Sequence, residues 1–193
     1  LFPSLDNLYI NPPELVNVDF QVPLLSLPLI FQTDKSSIPK CISYISVDEE
    51  KRLKFKDLMD TNKFLKIGIV CSGQKNHMND ANRSIPLIQF EKILDERYRY
   101  FLIQNEIRIT DFEYLGNSQI TDLSGYIHDF SDTAAIIENL DFIISVDTSV
   151  VHLAGTLNKK TFLLLPYSPD WRWGGFSDRT SWYESVYMLR QEK

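Results

Sequence analysis

Residues 142–155, FIISVDTSVVHLAG, have the types and spacing needed to bind an anion at the start of a helix. A short apolar run rich in β-branched residues is followed by Asp147, a good helix N-cap, and then by apolar residues at helical spacing. We therefore expect a buried strand that turns directly into a helix. The free N–H groups and the positive end of the helix dipole would lie at the carboxyl end of the strand, which favours a phosphorylated ligand.

Three side chains of this segment are candidates for contact with the bound group. Thr148, Ser149 and His152 can share one helical face, and an imidazole next to phosphate would stay protonated. A carboxylate would repel phosphate, so Asp147 is expected to accept the Val150 N–H and shape the helix start, with a sugar hydroxyl as its possible partner. The alternative for His152 is an ordinary core histidine.

Two further segments are predicted to end at the same edge of the sheet. Ser72 and Gly73 close a short apolar strand, where glycine lets a ligand approach the backbone and the serine hydroxyl can donate. Arg83 follows in a polar loop just before a helix, and its guanidinium could form paired hydrogen bonds with phosphate oxygens. The alternatives are a plain turn at Ser72 and a solvated surface arginine at position 83.

Another candidate segment at this edge follows the last predicted strand. It covers residues 164–175, LLPYSPDWRWGG. Two tryptophans flank Arg172 and could form a stacking surface for a sugar or a base. They could instead fill a hinge between two domains, and the sequence favours this structural role.

Composition limits the class of protein. The chain has 193 residues, 44% of them hydrophobic, and a net charge of −6, as expected for a folded domain rather than a general nucleic-acid binder. It contains no uninterrupted apolar stretch of about 18 residues, so no membrane-spanning segment is expected.

Neither the cysteines nor the histidines have the spacing of a metal site. Cys41 and Cys71 form no C-x-x-C pair, which favours a reduced, cytoplasmic protein, and His77, His128 and His152 are far apart in the sequence. We expect no metal and no cofactor. The chain also lacks a G-x-S-x-G elbow and a G-x-G-x-x-G fingerprint, so neither an α/β-hydrolase nor a standard nicotinamide site is predicted.

Strands and helices alternate along most of the chain, which predicts an α/β fold with a mostly parallel sheet and helices on both faces. The expected left-handed stop of the last helix is Asn158. The predicted strands are residues 66–73, 100–104, a short one near 112–115, 142–146 and 161–165; the predicted helices are residues 47–60, one from Pro86, 134–140 and 148–157.

With these motifs in view, the chain resembles the glycosyltransferase domain found at the end of bacterial tetratricopeptide-repeat proteins, a relative of the lipopolysaccharide heptosyltransferases. The resemblance extends from about residue 19 to 191. It rests on IGIVCSG, NRSIPL, DFSDTAAIIENLDFIISVDTSVVHLAG, LLLPYSPDWRW and SWYESVYMLRQ, in this order. It implies a GT-B architecture, in which two doubly wound, Rossmann-like domains face each other and the second holds most of the donor nucleotide sugar.

The resemblance also implies domain boundaries. Residues 1–47 would be the C-terminal remnant of the acceptor-side domain, residues 48–62 a connector helix, and residues 63–193 the Rossmann-like nucleotide-sugar-binding domain. We therefore expect a piece of a longer protein, with a possible tetratricopeptide-repeat region. Most of the acceptor domain, which holds the catalytic base in relatives, would be missing, so the fragment alone could be inactive.

Site residues carried over from the family agree with the charge argument at the phosphate. Arg83 stands where heptosyltransferases have a lysine that contacts the diphosphate, and with His152 it would stabilise the leaving group. The implied substrate contacts are Ser72 and Gly73 at the phosphate, Asp147, Thr148 and Ser149 at the helix start, Gln104 and Glu106 near the ribose or base, and Phe130, Asp132 and Thr133 near the nucleotide.

The function implied is a metal-independent glycosyltransferase with a nucleoside-diphosphate sugar as donor. The acceptor, whether a glycan, a lipid-linked sugar or a protein, is open. Two alternatives remain: a non-catalytic module that binds a nucleotide or sugar phosphate or serves as a repeat-protein scaffold, and a nucleotide-sugar epimerase.

Overall fold

All six strands of the fold lie in one sheet, and every neighbouring pair runs parallel. The computed structural model describes residues 19–39, 43–60, 63–116, 118–175 and 177–192. The strands are β1 (Leu65–Val70), β2 (Tyr98–Leu102), β3 (Ile120–Asp122), β4 (Phe142–Val146), β5 (Thr161–Leu165) and β6 (Val186–Arg190). Their order is β3-β2-β1-β4-β5-β6, so the direction of winding reverses between β1 and β4. The predicted α/β class with a Rossmann-like, mostly parallel sheet is confirmed.

Helices connect these strands. They are α1 (Leu27–Ile30), α2 (Glu49–Leu58), α3 (Asp80–Arg83), α4 (Ile109–Leu115), α5 (Phe130–Glu138) and α6 (Ser149–Thr156), with 3-10 turns at Leu24–Ser26, Leu87–Ile93, Ser124–Tyr126 and Trp171–Trp173. The left-handed stop predicted after α6 is confirmed, because Asn158 has a φ of 55°.

Alternating strand residues enter two cores on opposite faces of the sheet. Ile69 and Leu102 pack into the core that Leu87–Ile93 closes, whereas Val70 and Ile143 pack into the core that α2 and α5 close. This burial on both faces explains why the strands read as continuous apolar runs in the sequence.

Several predicted elements differ from the structure. The strand expected near residues 112–115 is wrong: this segment is part of α4, and the edge strand lies later, where Ile120 pairs with Tyr100. The helix expected from Pro86 is a 3-10 helix. Strand β6 was not predicted from the sequence.

Helix α2 is shorter than the helix predicted over residues 47–60. Asp48 caps it by accepting the Lys51 N–H at 3.0 Å. Phe55 and Met59 are buried, whereas Leu53 is exposed.

The close approach of α6 to the segment before β6 allows a test of the packing. A Cβ added at Gly155 would overlap the ring of Tyr183. Overpacking costs about 1–3 kcal/mol, which outweighs the gain of about 1 kcal/mol in helix propensity, so Gly155→Ala should lower the melting temperature. Gly125→Ala is the control, because no heavy atom lies within 4 Å of its added Cβ. Equal or higher stability of Gly155→Ala would contradict this packing.

The region before α2 is described in part. Phe20, Leu25 and Phe31 around α1 are exposed. Residues 1–18 and Cys41 lie outside the described residues, and the three-part division of the chain stays a prediction. Of the helices that the structure describes, none has both the length and the apolar character required to cross a bilayer.

Candidate functional site

A cavity of about 590 Å³ opens at the carboxyl ends of β1 and β2 and at the start of α5 and α6. It lies where the chains leaving β1 and β4 diverge, the position at which open α/β sheets bind ligands. The sequence-predicted residues that line it are Ser72, Gly73, Arg83, Gln104, Glu106, Phe130, Thr133, Thr148 and Ser149. Asp132, Asp147 and His152 do not line it. A second cavity of about 460 Å³, near residues 177–184, contains none of the predicted site residues.

The start of α6 forms one wall of the cavity. Thr148 is the N-cap, with extended backbone angles, and its Oγ1 is buried without a hydrogen-bond partner. The expected cap by Asp147 is wrong, because Asp147 precedes the N-cap by one residue and its carboxylate is too early in the chain for the Val150 N–H. The helix end therefore offers unpaired amides and a buried hydroxyl with no anionic cap.

Arg83 lines the cavity next to the start of α6. Its Nη1 donates to the backbone oxygen of Asp147 at 2.8 Å, and its guanidinium covers Gly73 so closely that any side chain there would overlap it. The side chain is only 11% exposed, and Nε has no hydrogen-bond partner. Arg83 thus connects the loop after β1 to the start of α6, with donors left for a ligand.

Asp80 holds this arginine in place. Its Oδ1 lies 3.5 Å from Arg83 Nε and accepts from the Ser84 hydroxyl at 2.9 Å, while its Oδ2 pairs with Arg108. Sequence reasoning missed both Asp80 and Arg108. The spacing of Asp80 and Arg83, three residues apart on a short helix, was the available signal; no sequence signal connects Arg108 to them.

Gln104 closes the floor of the cavity. Its Oε1 accepts from the backbone N–H groups of Cys71 and Ser72, at 2.8 and 3.2 Å. Its Nε2 donates to Ser72 Oγ at 2.9 Å and to the backbone oxygen of Glu106 at 2.8 Å. The amide therefore joins the ends of β1 and β2 and has no free group. The contact of Gln104 with a ribose or base stays a prediction.

The start of α5 forms the wall opposite the sheet. Phe130 lines the cavity with its ring exposed. Asp132 instead forms a capping box with Asp129 and an ion pair with Lys51 at 2.8 Å. Burial opposes ionisation of Asp132, but Lys51 and the His128 N–H hold the pKa of its carboxyl below the usual value. Asp132 therefore fixes α5 against α2.

His152 does not line the cavity. Its ring stacks on Trp173 with a centroid distance of 5.1 Å, and its Nδ1 lies 3.1 Å from the Tyr183 hydroxyl. Burial lowers the pKa of His152 below its ordinary value of 6.5. Burial thus favours the neutral imidazole where the histidine packs α6 against the loop after β5, and the contact of His152 with a phosphate stays a prediction.

This environment predicts the titration of His152. A histidine with a lowered pKa contributes stability above the unfolded value of 6.5 and loses it as the pH falls, because the unfolded state binds the proton more readily. We expect the His152 ring signal, assigned by comparison with His152→Gln, to titrate below pH 6.5 in an NMR series. His152→Gln should also lose less stability than the parent protein between pH 7 and pH 5. Titration above 6.5 would contradict the burial.

Comparison with solved structures places this geometry in a known fold. E. coli ADP-heptose LPS heptosyltransferase II matches with a TM-score of 0.51 and 16% identity over 81% of this chain and 48% of that one. E. coli heptosyltransferase WaaC with ADP matches with a TM-score of 0.48 and 15% identity over 81% of this chain and 47% of that one. The chain thus spans about half the length of these structures. At this identity the similarity shows a shared fold.

The other comparisons are negative: no family model matches the chain, and no curated protein matches it. The resemblance to heptosyltransferases is confirmed at the level of fold, whereas a tetratricopeptide-repeat region stays a prediction.

The chemistry that the cavity offers is that of a fixed anion site. Within the ranges that the structure describes, no three His, Cys, Asp or Glu side chains are grouped so that they could hold a metal ion. Positive character comes from the Arg83 guanidinium and from the first amides of α6, which lie next to each other where the β1 and β4 loops meet.

Proposed function

We propose that this chain is the donor-binding half of a glycosyltransferase that uses a nucleoside-diphosphate sugar. The observation that carries the proposal is the buried, unpartnered Thr148 hydroxyl at the start of α6, with Arg83 beside it in the same cavity. A buried polar atom without a partner costs free energy, which a phosphate oxygen at this point would recover. The fold shared with E. coli ADP-heptose LPS heptosyltransferase II supports the choice of reaction.

In this proposal the diphosphate is the leaving group. When the bond between the sugar carbon and the phosphate oxygen breaks, negative charge grows on the terminal phosphate. The Arg83 guanidinium and the N–H groups at the start of α6 would stabilise that charge, since they are held in place before the reaction. This arrangement supplies positive charge without a metal ion. An acceptor hydroxyl, deprotonated by a base outside the described cavity, would attack the sugar.

The rest of the cavity would hold the nucleoside. Phe130 offers an exposed ring at the start of α5 for stacking with a base, and Thr133 and Glu106 add polar groups to the same cavity. Ser72 and Gly73 would complete the phosphate side. His152, which we expected to contact phosphate, would instead support α6 from behind through Trp173.

Calorimetric titration with ADP, GDP, UDP and CDP tests the proposal. We expect one of these nucleotides to bind, and Thr148→Val to weaken its binding roughly tenfold, because the variant keeps the shape and removes only the hydroxyl. Thr121→Val, at an exposed position of β3, is the matched control and should bind like the parent protein. Absence of binding by all four nucleotides would contradict the proposed function.

A further inference from the structure

The loop between β5 and β6 carries two tryptophans that differ sharply in exposure. Trp173 is 2% exposed and fills the space beside α6, where it stacks on His152. Trp171, two residues earlier, is 72% exposed. Trp173 therefore packs within the fold, and Trp171 remains to be explained.

The exposed indole stands on a well-anchored turn. Asp170 accepts the backbone N–H of Arg172 at 3.0 Å and its Nη1 at 2.9 Å, and the Trp182 indole donates to the Arg172 carbonyl oxygen at 2.8 Å. The Arg172 guanidinium lies 4.8 Å from the centre of the Trp171 ring. A large aromatic side chain held outward by an anchored turn can serve as a stacking surface for a ligand.

This turn lies next to the proposed donor cavity. The loop leaves β5 at the same edge of the sheet at which β4 ends. Ser149 lines the cavity, and His152, one turn further along α6, stacks on Trp173. Burial opposes ionisation of Asp170, but the hydrogen bonds and the charge of Arg172 keep its pKa below the usual value.

We propose that Trp171, with Arg172 over one face of its ring and Asp170 paired with that arginine, binds a sugar ring. The inference rests on the proposed function, since a sugar joined to a diphosphate at the start of α6 would extend out of the cavity towards this turn. The indole face that Arg172 does not cover suits the C–H face of a pyranose, and the partly exposed carboxylate and guanidinium suit its hydroxyl groups. The same chemistry would serve the donor sugar or the acceptor sugar, so the experiment has an arm for each.

The donor arm compares nucleoside diphosphates with their sugar conjugates: ADP with ADP-glucose, GDP with GDP-mannose, and UDP with UDP-glucose. We expect Trp171→Ala to bind the nucleoside diphosphate like the parent protein. For the sugar conjugate, its Kd should be about threefold to tenfold higher than that of the parent protein, the range for one aromatic contact. The acceptor arm adds methyl pyranosides to the protein saturated with nucleoside diphosphate, and loss of their binding in Trp171→Ala would assign the surface to an acceptor sugar.

Phe112→Ala, which removes a 61% exposed aromatic ring from α4, is the matched control and should behave like the parent protein in both arms. Equal sugar-dependent affinities of Trp171→Ala and the parent protein in both arms would overturn the inference. If the affinities were equal and Trp171→Ala also had a lower melting temperature, Trp171 would be a packing residue, and the inference would be overturned as well. Failure of the proposed function looks different, because the parent protein would then bind no nucleoside diphosphate.

Discussion

Alanine in place of Arg83 is expected to weaken the binding of a nucleoside diphosphate by about 1.5–3 kcal/mol, roughly tenfold to a hundredfold in Kd. The guanidinium is nearly buried, lies over Gly73 and is aimed by its bond to the Asp147 carbonyl oxygen, so its charge acts where water screens little. Calorimetric titration of the variant with the nucleotide that the parent protein binds measures the loss.

Two further variants separate this contact from a general effect of charge. Arg97→Ala removes the same charge from a side chain that is 77% exposed and pairs with Asp95 at the surface, and it should leave the Kd nearly unchanged. Arg83→Lys keeps the charge but not the planar pair of donors, so its Kd should fall between those of the parent protein and Arg83→Ala. An Arg83→Ala protein that folds and binds the nucleotide as tightly as the parent protein would remove Arg83 from the site.

The sheet was largely predictable because it is buried on both faces. Strands such as β1 and β4 are short apolar runs bounded by polar turns, a pattern that the local sequence alone reveals. The errors fall at the edges. Residues 112–115 were read as a strand, although the apolar residues of Ile109–Leu115 also fit a helical repeat. Strand β6 pairs with a single neighbour, β5, and shows only a weak alternation.

The location of the site was predictable for the same reason, since its loops follow strands. The contacts of individual side chains were not. The spacing argument for His152 counted Thr148 as a helical residue, but Thr148 is the extended N-cap, so the helical repeat begins at Ser149. Both side chains have partners that lie far away in the sequence: His152 stacks on Trp173, and the Gln104 amide hydrogen-bonds Ser72.

Asp80→Asn is expected to cause the largest loss of stability among the site variants, about 3 kcal/mol, because it leaves two guanidinium groups without their shared carboxylate. Both arginines are shielded from water, Arg83 more than Arg108, and neither could be solvated without opening the loop. For a protein of this size the melting temperature should fall by about 6–12 °C. Thermal unfolding followed by circular dichroism measures the change.

Asp95→Asn is the matched control for this loss. Asp95 pairs with Arg97 at the surface, and hydrogen bonds from Arg97 keep the pKa of Asp95 at about 2. Since solvent replaces such an exposed partner at little cost, Asp95→Asn should change the melting temperature by only a few degrees. If Asp80→Asn melted like Asp95→Asn, the carboxylate would not be what holds Arg83 over Gly73. If the Asp80→Asn protein were stable but bound the nucleotide more weakly, the role of Asp80 would be limited to positioning Arg83. The fold would then have accommodated an unpaired Arg108.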